Sequence, residues 1–217
     1  MKELTKRQRE QLERQDTIIE KAEYLFCKHG FENVSMDDLA REVELTKRTI
    51  YRYFASKEDL YFAIALRGYH RLYDMIIDNS LKGNTGFEKI RLTYYTYYEF
   101  FCKFPGLNQL INMGGVIKSD TKDKNLPYRK QFLEFDKQLF DELIEMFMEG
   151  KVDGSIRSDV DITHLALSSI FVTSGFFQML SLSGETYTEH FNLNQNDFVD
   201  MTIEILLDSL KNKKKAI

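Results

Sequence analysis

Between Thr17 and Leu60 the chain falls into four short apolar-periodic segments. Three of them are opened by a hydroxyl residue, and that cadence constrains the fold to closely spaced helices. In the first, Ile18, Ala22, Leu25 and Phe26 line one helical face, and Gly30 follows as a stop. Ser35 then precedes Met36-Asp37-Asp38, a capping-box pattern with aspartate in place of the longer Glu or Gln. The helix it opens runs from Met36 to about Val43, with Met36, Leu39, Ala40 and Val43 inward. Thr46 caps the next, with Ile50 and Phe54 inward. Ser56 caps a fourth, whose first-turn Glu58 and Asp59 suit the positive end of the helix dipole. Its apolar positions continue through Leu60, Ile64, Leu66, Tyr69, Leu72 and Ile76, long enough to bridge two domains.

The same period carries on to the C-terminus. Lys82-Gly83-Asn84-Thr85-Gly86 is a break. Residues 87–104 form an aromatic-dense helix that stops at Pro105-Gly106. A shorter helix follows over 107–117, weakened at Gly114-Gly115, and then a polar loop over 119–125. A long helix spans 126–149. A further one starts at Asp161 or Thr163 and is strongly apolar from Leu165 to Leu182. Residues 184–194 read as a loop and 195–211 as the last helix. With only 2 prolines and 11 glycines, a turn-rich β fold is disfavoured, so the expectation is all-α with about nine helices. No run of 18 apolar residues predicts a transmembrane span, and the first residues lack the apolar core of a signal peptide. Cys27 and Cys102, far apart in apolar surroundings, read as buried free thiols of a reduced cytoplasm.

The charge distribution is more informative than its sum. The net charge is −4, but residues 1–57 hold 12 Lys/Arg against 11 Asp/Glu, so the acid excess lies in the rest of the chain. Thr46–Lys57 contains four cations (Lys47, Arg48, Arg52 and Lys57) and no acid. Hydroxyls and tyrosines interleave with them. A helix entering a DNA groove needs this set: cations and hydroxyls for phosphates and base edges, and an apolar back face to hold it on a scaffold.

Taken together, Ile19–Ala22, Phe26, His29-Gly30-Phe31, Ser35-Met36-Asp37-Asp38-Leu39-Ala40, Leu45-Thr46-Lys47-Arg48-Thr49-Ile50-Tyr51-Arg52-Tyr53-Phe54 and Ser56-Lys57-Glu58-Asp59-Leu60 resemble a TetR/AcrR-family transcriptional regulator. Residues 154–161 are similar to a recurring C-terminal feature of that family. The resemblance implies a three-helix helix-turn-helix domain over residues 1–60, with an N-terminal arm over 1–14. A long helix joins it to a larger helical effector-binding and dimerisation domain over 61–217. Two positions depart from the family pattern: Glu44 stands in a turn where glycine is common, and Arg48 where a small residue is common. A borrowed operator sequence therefore does not apply.

The implied recognition helix is Lys47–Tyr53. Ser35 and Thr46 cap helices whose N-termini can meet a phosphate, or act as caps and nothing more. Lys47 and Arg48 sit where base edges are read, and Arg48 can be bidentate to guanine. Thr49 can meet a thymine methyl or a phosphate. Tyr51 and Tyr53 can reach phosphates, unless Tyr51 sits half in the core. Arg52 lies one turn beyond Arg48, and Lys57 matches the family's phosphate-contacting lysine. The arm carries five cations against three acids; it reads as a solvated helix start, with a phosphate or minor-groove contact as the alternative. The run Lys211–Lys215 complements the last helix's dipole.

The aromatics and methionines of the larger domain are core by default. Their density also suits an adaptable apolar cavity, and the resemblance implies an inducer pocket, expected at Tyr94, Tyr97, Tyr98, Phe101, Met113, Phe135 and Phe171. The effector would be an apolar or amphipathic small molecule, and the last two helices resemble the family's dimerising pair. A repressor on near-palindromic double-stranded DNA follows as the expectation, cytoplasmic, homodimeric, and needing no cofactor or metal. A TetR-like architectural or partner-binding DNA protein without an inducer is the alternative. The four histidines are scattered and no catalytic pattern stands out, so an enzyme is not expected.

Overall fold

A computed structural model describes residues 4–112 and 125–212. Among the described residues there are nine helices and no strand: α1 Lys6–His29, α2 Met36–Glu42, α3 Lys47–Ile50, α4 Lys57–Ser80, α5 Gly86–Lys103, α6 Pro105–Asn112, α7 Pro127–Asp153, α8 Ile162–His190 and α9 Gln195–Leu210. By contact the chain divides into two compact units. One comprises Met1–Tyr69 with Gly106–Phe135, the other His70–Pro105 with Asp136–Ile217.

In the first unit the sequence stripes bury as their spacing requires. Ile18, Ala22, Phe26, Leu39, Ile50 and Phe54 are sequestered from solvent, with Leu60, Tyr61, Phe62 and Phe132. Aromatic rings meet edge to face along Phe26–Phe31 (5.3 Å), Phe31–Tyr61 (5.3 Å) and Tyr61–Phe62 (5.5 Å), geometry favoured by the ring quadrupole. Two later segments complete this core. Tyr61 donates its hydroxyl to the Leu110 carbonyl of α6. Gly68 of α4 admits Leu107 and Ile111 so closely that a Cβ there would lie 2.9 Å from Ile111 Cγ2. Residues 106–112 and 125–135 thus pack with the N-terminal helices, which a boundary after residue 60 does not anticipate.

In the second unit α5, α8 and α9 pack on one another. The N-terminus of α5 approaches the end of α7 at a glycine pair: a Cβ on Gly86 would lie 2.1 Å from the Gly150 nitrogen. The N–H groups of Gly86 and Phe87 donate to Asp153 Oδ2 (2.8 Å) and Ser155 Oγ (3.1 Å), satisfying donors the helix leaves open. The following segment is pinned to the end of α9: Arg157 N–H donates to the Leu210 carbonyl (2.9 Å), and Asn212 N–H to that of Ser155 (3.2 Å).

Several expectations are corrected. α8 runs through Gly184 to His190, leaving a loop of only 191–194 in place of 184–194. A helix tolerates an isolated glycine at a cost of about 1 kcal/mol, and the real stop is Asn192 in the left-handed region (φ 52). α7 likewise extends to Asp153. α8 also contains a window of mean hydropathy 1.6, long and apolar enough by composition to cross a membrane, although Ser, Thr and Gly interrupt it. Finally, Cys27 and Cys102 are exposed, not buried. Cys27 lies against Gly106, and desolvation followed by the Glu23 carboxylate pushes its thiol up to about 11. It is a thiol, not a reactive thiolate.

Candidate nucleic-acid interface

Three short-range caps set the geometry of residues 35–57. The Ser35 hydroxyl accepts from Asp38 N–H (3.2 Å) and donates to Asp38 Oδ2 (2.5 Å), while Ser35 N–H donates to the same carboxylate (2.8 Å). Aspartate therefore closes the box despite its length. Those bonds from Ser35, with Arg41 beside them, hold the Asp38 carboxyl below its usual value. Thr46 Oγ1 accepts from Thr49 N–H (3.2 Å) and bonds the Thr49 hydroxyl (2.9 Å). Ser56 Oγ accepts from Asp59 N–H (3.2 Å). Between α2 and α3 the chain turns at Glu44, whose φ of 52 is the left-handed conformation that glycine adopts without strain.

The expected recognition helix is shorter than Lys47–Tyr53. Regular α geometry covers Lys47–Ile50, and bonds of the i to i+3 type then carry the chain on: Arg52 N–H to Thr49 O (3.2 Å) and Tyr53 N–H to Ile50 O (2.9 Å). Such tightening is ordinary at a helix end. Ile50 and Phe54 anchor the segment in the core. Thr46, Lys47, Arg48, Tyr51 and Arg52 are exposed, and Thr49, Tyr53 and Lys57 are half-buried. Tyr51 therefore faces out instead of sitting half in the core. The cations differ sharply. Lys47 pairs with Asp37 Oδ2 (2.8 Å), and that bond raises its pKa. Lys57 lies over the Phe31 ring (4.2 Å), and desolvation lowers its pKa. Among the described residues Arg48 and Arg52 have no carboxylate partner.

The basic arm, read from the sequence as a solvated helix start with a phosphate contact as the alternative, stands beside the recognition segment. Arg7, Glu10, Gln11 and Arg14 of α1 line an open groove of about 220 Å³ with Arg52 and Tyr53. The signal was present, because residues 7, 11 and 14 share one helical face. It reads only if the arm is helical, and it is helical from Lys6.

Of the expected effector residues, four converge. Tyr97, Tyr98 and Phe101 of α5 surround Phe177 of α8 at ring distances of 4.9, 5.9 and 5.7 Å. Tyr94 is buried and hydrogen-bonds Ser169. The Tyr98 hydroxyl donates to Asn196 Oδ1 (2.5 Å), and desolvation, then Cys102, push its pKa up to about 12. Phe171 does not join them: it is 69% exposed on α8, on the side bearing Val172, Met179 and Leu182. Phe135 belongs to the other unit. Met113 lies outside the described residues. Among the described residues no cluster of His, Cys, Asp or Glu is arranged to hold a metal.

Two short helices joined by a tight turn, the second with an apolar back and a basic front that exposes Arg48 and Arg52, on an all-helical frame, define a helix-turn-helix DNA-binding protein. Residues 18–64 match the family described as bacterial regulatory proteins, tetR family. The chain is 23% identical over 175 residues to the HTH-type transcriptional repressor AcnR of Corynebacterium diphtheriae, covering 80% of this chain and 84% of that protein. Its fold matches the transcriptional regulator FadR of Bacillus subtilis in complex with stearoyl-CoA: TM-score 0.70 at 16% identity, over 89% of this chain and 98% of the other. It also matches AibR in complex with isovaleryl coenzyme A and operator DNA, with TM-score 0.67 at 21% identity and the same coverages. Over residues 18–64 the chain thus resembles TetR-family transcriptional regulators, and the described residues share their all-helical fold.

Proposed function

We propose that this regulator binds a near-palindromic operator as a homodimer, represses transcription from it, and releases it when an amphipathic small molecule binds the C-terminal helices. The observation that carries the DNA-binding part is the pairing pattern of the recognition segment: Arg48 and Arg52 are exposed and uncommitted, beside a lysine already tied to Asp37. Arg48 reads a base edge, bidentate to guanine where the operator offers one. Thr49, Arg52, Tyr51 and Tyr53 position the backbone, with Lys57 and the α2 and α3 starts at Ser35 and Thr46. Lys47 exchanges Asp37 for a phosphate on binding.

Dimerisation rests on the exposed apolar faces of α8 and α9, including Phe171, Met179, Met201 and Ile205, which leave a patch unusual for a free monomer. The tyrosine-rich cluster around Phe177 supplies an apolar wall with hydroxyls, and fold relatives bound to acyl-CoA esters favour an effector of that amphipathic type. Selection of duplexes from a random pool tests the reading. An enriched pair of half-sites with centres about 34–36 Å apart, or a multiple of that, is expected, as a symmetric dimer demands; enrichment of no motif refutes sequence-specific binding. Stearoyl-CoA and isovaleryl-CoA added to the protein–duplex complex then probe release. A ligand that binds tightly without changing duplex affinity overturns the coupling.

A further inference from the structure

We propose that the groove between the first turns of α1 and the end of the recognition segment is a clamp for the DNA sugar-phosphate backbone, with Arg7 and Arg14 as its added contacts. This rests on the DNA-binding reading above and extends it to a part of the chain that the helix-turn-helix pattern does not include.

The clamp stands on a rigid element. Thr5 and Gln8 close a full capping box, with Gln8 N–H to Thr5 Oγ1 at 3.3 Å and Thr5 N–H to Gln8 Oε1 at 2.9 Å, so α1 starts at Lys6 as an ordered helix. Arg7 and Arg14 are two turns apart on one face, about 10 Å along the axis, with Gln11 between them. Across the groove stand Arg52 and Tyr53. The single carboxylate of the lining, Glu10, has Lys6 as its partner (3.9 Å).

The distribution of partners singles this groove out. Within residues 4–57, Lys6, Lys21, Arg41 and Lys47 each pair with a carboxylate, and Lys28 and Lys57 sit over aromatic rings. Among the described residues Arg7, Arg9, Arg14, Arg48 and Arg52 do neither, and three of these five line this groove. Converging guanidiniums repel one another until an anion sits among them. Their planar forks match phosphate oxygens in bidentate fashion, and Gln11 and Tyr53 add neutral donors. Arg52 belongs both to this groove and to the recognition segment, so the polyanion presented to both together is the backbone of the DNA that Arg48 reads.

The test uses the full chain with Arg7→Gln and Arg14→Gln together, since glutamine keeps a good helix propensity, and circular dichroism checks that α1 is retained. Binding is measured across salt on the selected duplex and on a scrambled one, with phosphate ethylation interference on the former. The expected result is a salt slope shallower by about one unit per phosphate released, equal weakening on both duplexes, and loss of one or two interference positions. A wild-type slope and interference pattern overturns the clamp; if Arg48→Ala still alters sequence preference, the DNA-binding reading stands without it. If Arg48→Ala also changes nothing, the underlying reading fails instead. Titration with inorganic phosphate provides a separate arm: binding lost in the double variant, with DNA interference unchanged, makes the groove a free-anion site and overturns the proposal.

Discussion

Replacing Glu44 by glycine is expected to stabilise the protein, and alanine is not. Glu44 holds φ 52 in the turn between α2 and α3, its side chain is exposed, and among the described residues no hydrogen bond or ion pair involves that side chain. A side chain with a Cβ loses about 1–2 kcal/mol in the left-handed region relative to its preferred conformations. Glycine removes that strain but costs about 0.5–1 kcal/mol more to order. The difference leaves Glu44→Gly about 0.5–1 kcal/mol more stable, a rise of about 1–4 °C in melting temperature for a chain of this size. Glu44→Ala keeps the Cβ and so keeps the strain. Both variants remove a negative charge beside the basic front, so both should tighten DNA binding alike at low salt. Thermal melts of the three proteins, repeated with urea, separate strain from charge. Equal stability of the glycine and alanine variants, or a less stable glycine variant, refutes the strain argument.

Five further outcomes follow from the same geometry. Arg48→Ala should relax base preference and cost about 1–3 kcal/mol of binding to the selected duplex, with unchanged melting because Arg48 is exposed and unpaired. Lys57→Ala should weaken all duplexes alike, flatten the salt slope by about one unit, and lower stability by about 0.5–1 kcal/mol through the lost Phe31 contact. Asp37→Asn releases Lys47 and should raise low-salt affinity for scrambled and selected DNA together; no change in filter-binding titrations would leave Lys47 without a backbone role. The Asp38 carboxyl is held below its usual value by Ser35, so its stabilisation is complete above the ordinary carboxylate range and is lost as pH falls through about 4 towards its lower folded value. Asp38→Asn should flatten that acid limb in pH-dependent melts. Phe171→Glu, on the exposed face of α8, should shift the sedimentation coefficient from dimer to monomer while leaving far-ultraviolet dichroism unchanged; a dimer that persists removes that face from the interface.

What could be read in the sequence was local. Ser35, Thr46 and Ser56 act on donors three residues away, so their caps were legible from spacing alone, and so was the inward stripe Ile18, Ala22, Leu25 and Phe26. Glu44 was legible as a departure from the family pattern, and the backbone there is the left-handed one that glycine adopts without strain. Non-local facts were not legible. Neither the period nor the composition said that Asp37 would neutralise Lys47, that Phe31 would lie beneath Lys57, or that α1 would stand beside Arg52. Phe171 misled because periodicity distinguishes an apolar face from a polar one but does not say whether an apolar face meets this chain or another molecule. Gly184 misled because a helix carried by tertiary packing overrides a weak local breaker.

Asp59 carries a consequence for how this chain can be cut and recombined. Its buried carboxylate accepts from Ala55 N–H (3.1 Å), at the start of α4, and from Tyr128 N–H (2.9 Å), at the start of α7. Tyr128 in turn packs on Phe54 (5.6 Å) and accepts from Gln15. The reader therefore completes itself with a stretch of polypeptide whose Tyr128 lies 69 residues beyond Asp59. It is not a detachable headpiece: a chain ending near residue 69 would leave Asp59 half-satisfied and uncover Tyr61, Gly68 and Phe62, which α6 and Phe132 now shield. Grafting this DNA specificity onto another regulator would mean transplanting 106–135 along with the first 69 residues, as two non-contiguous pieces of one body.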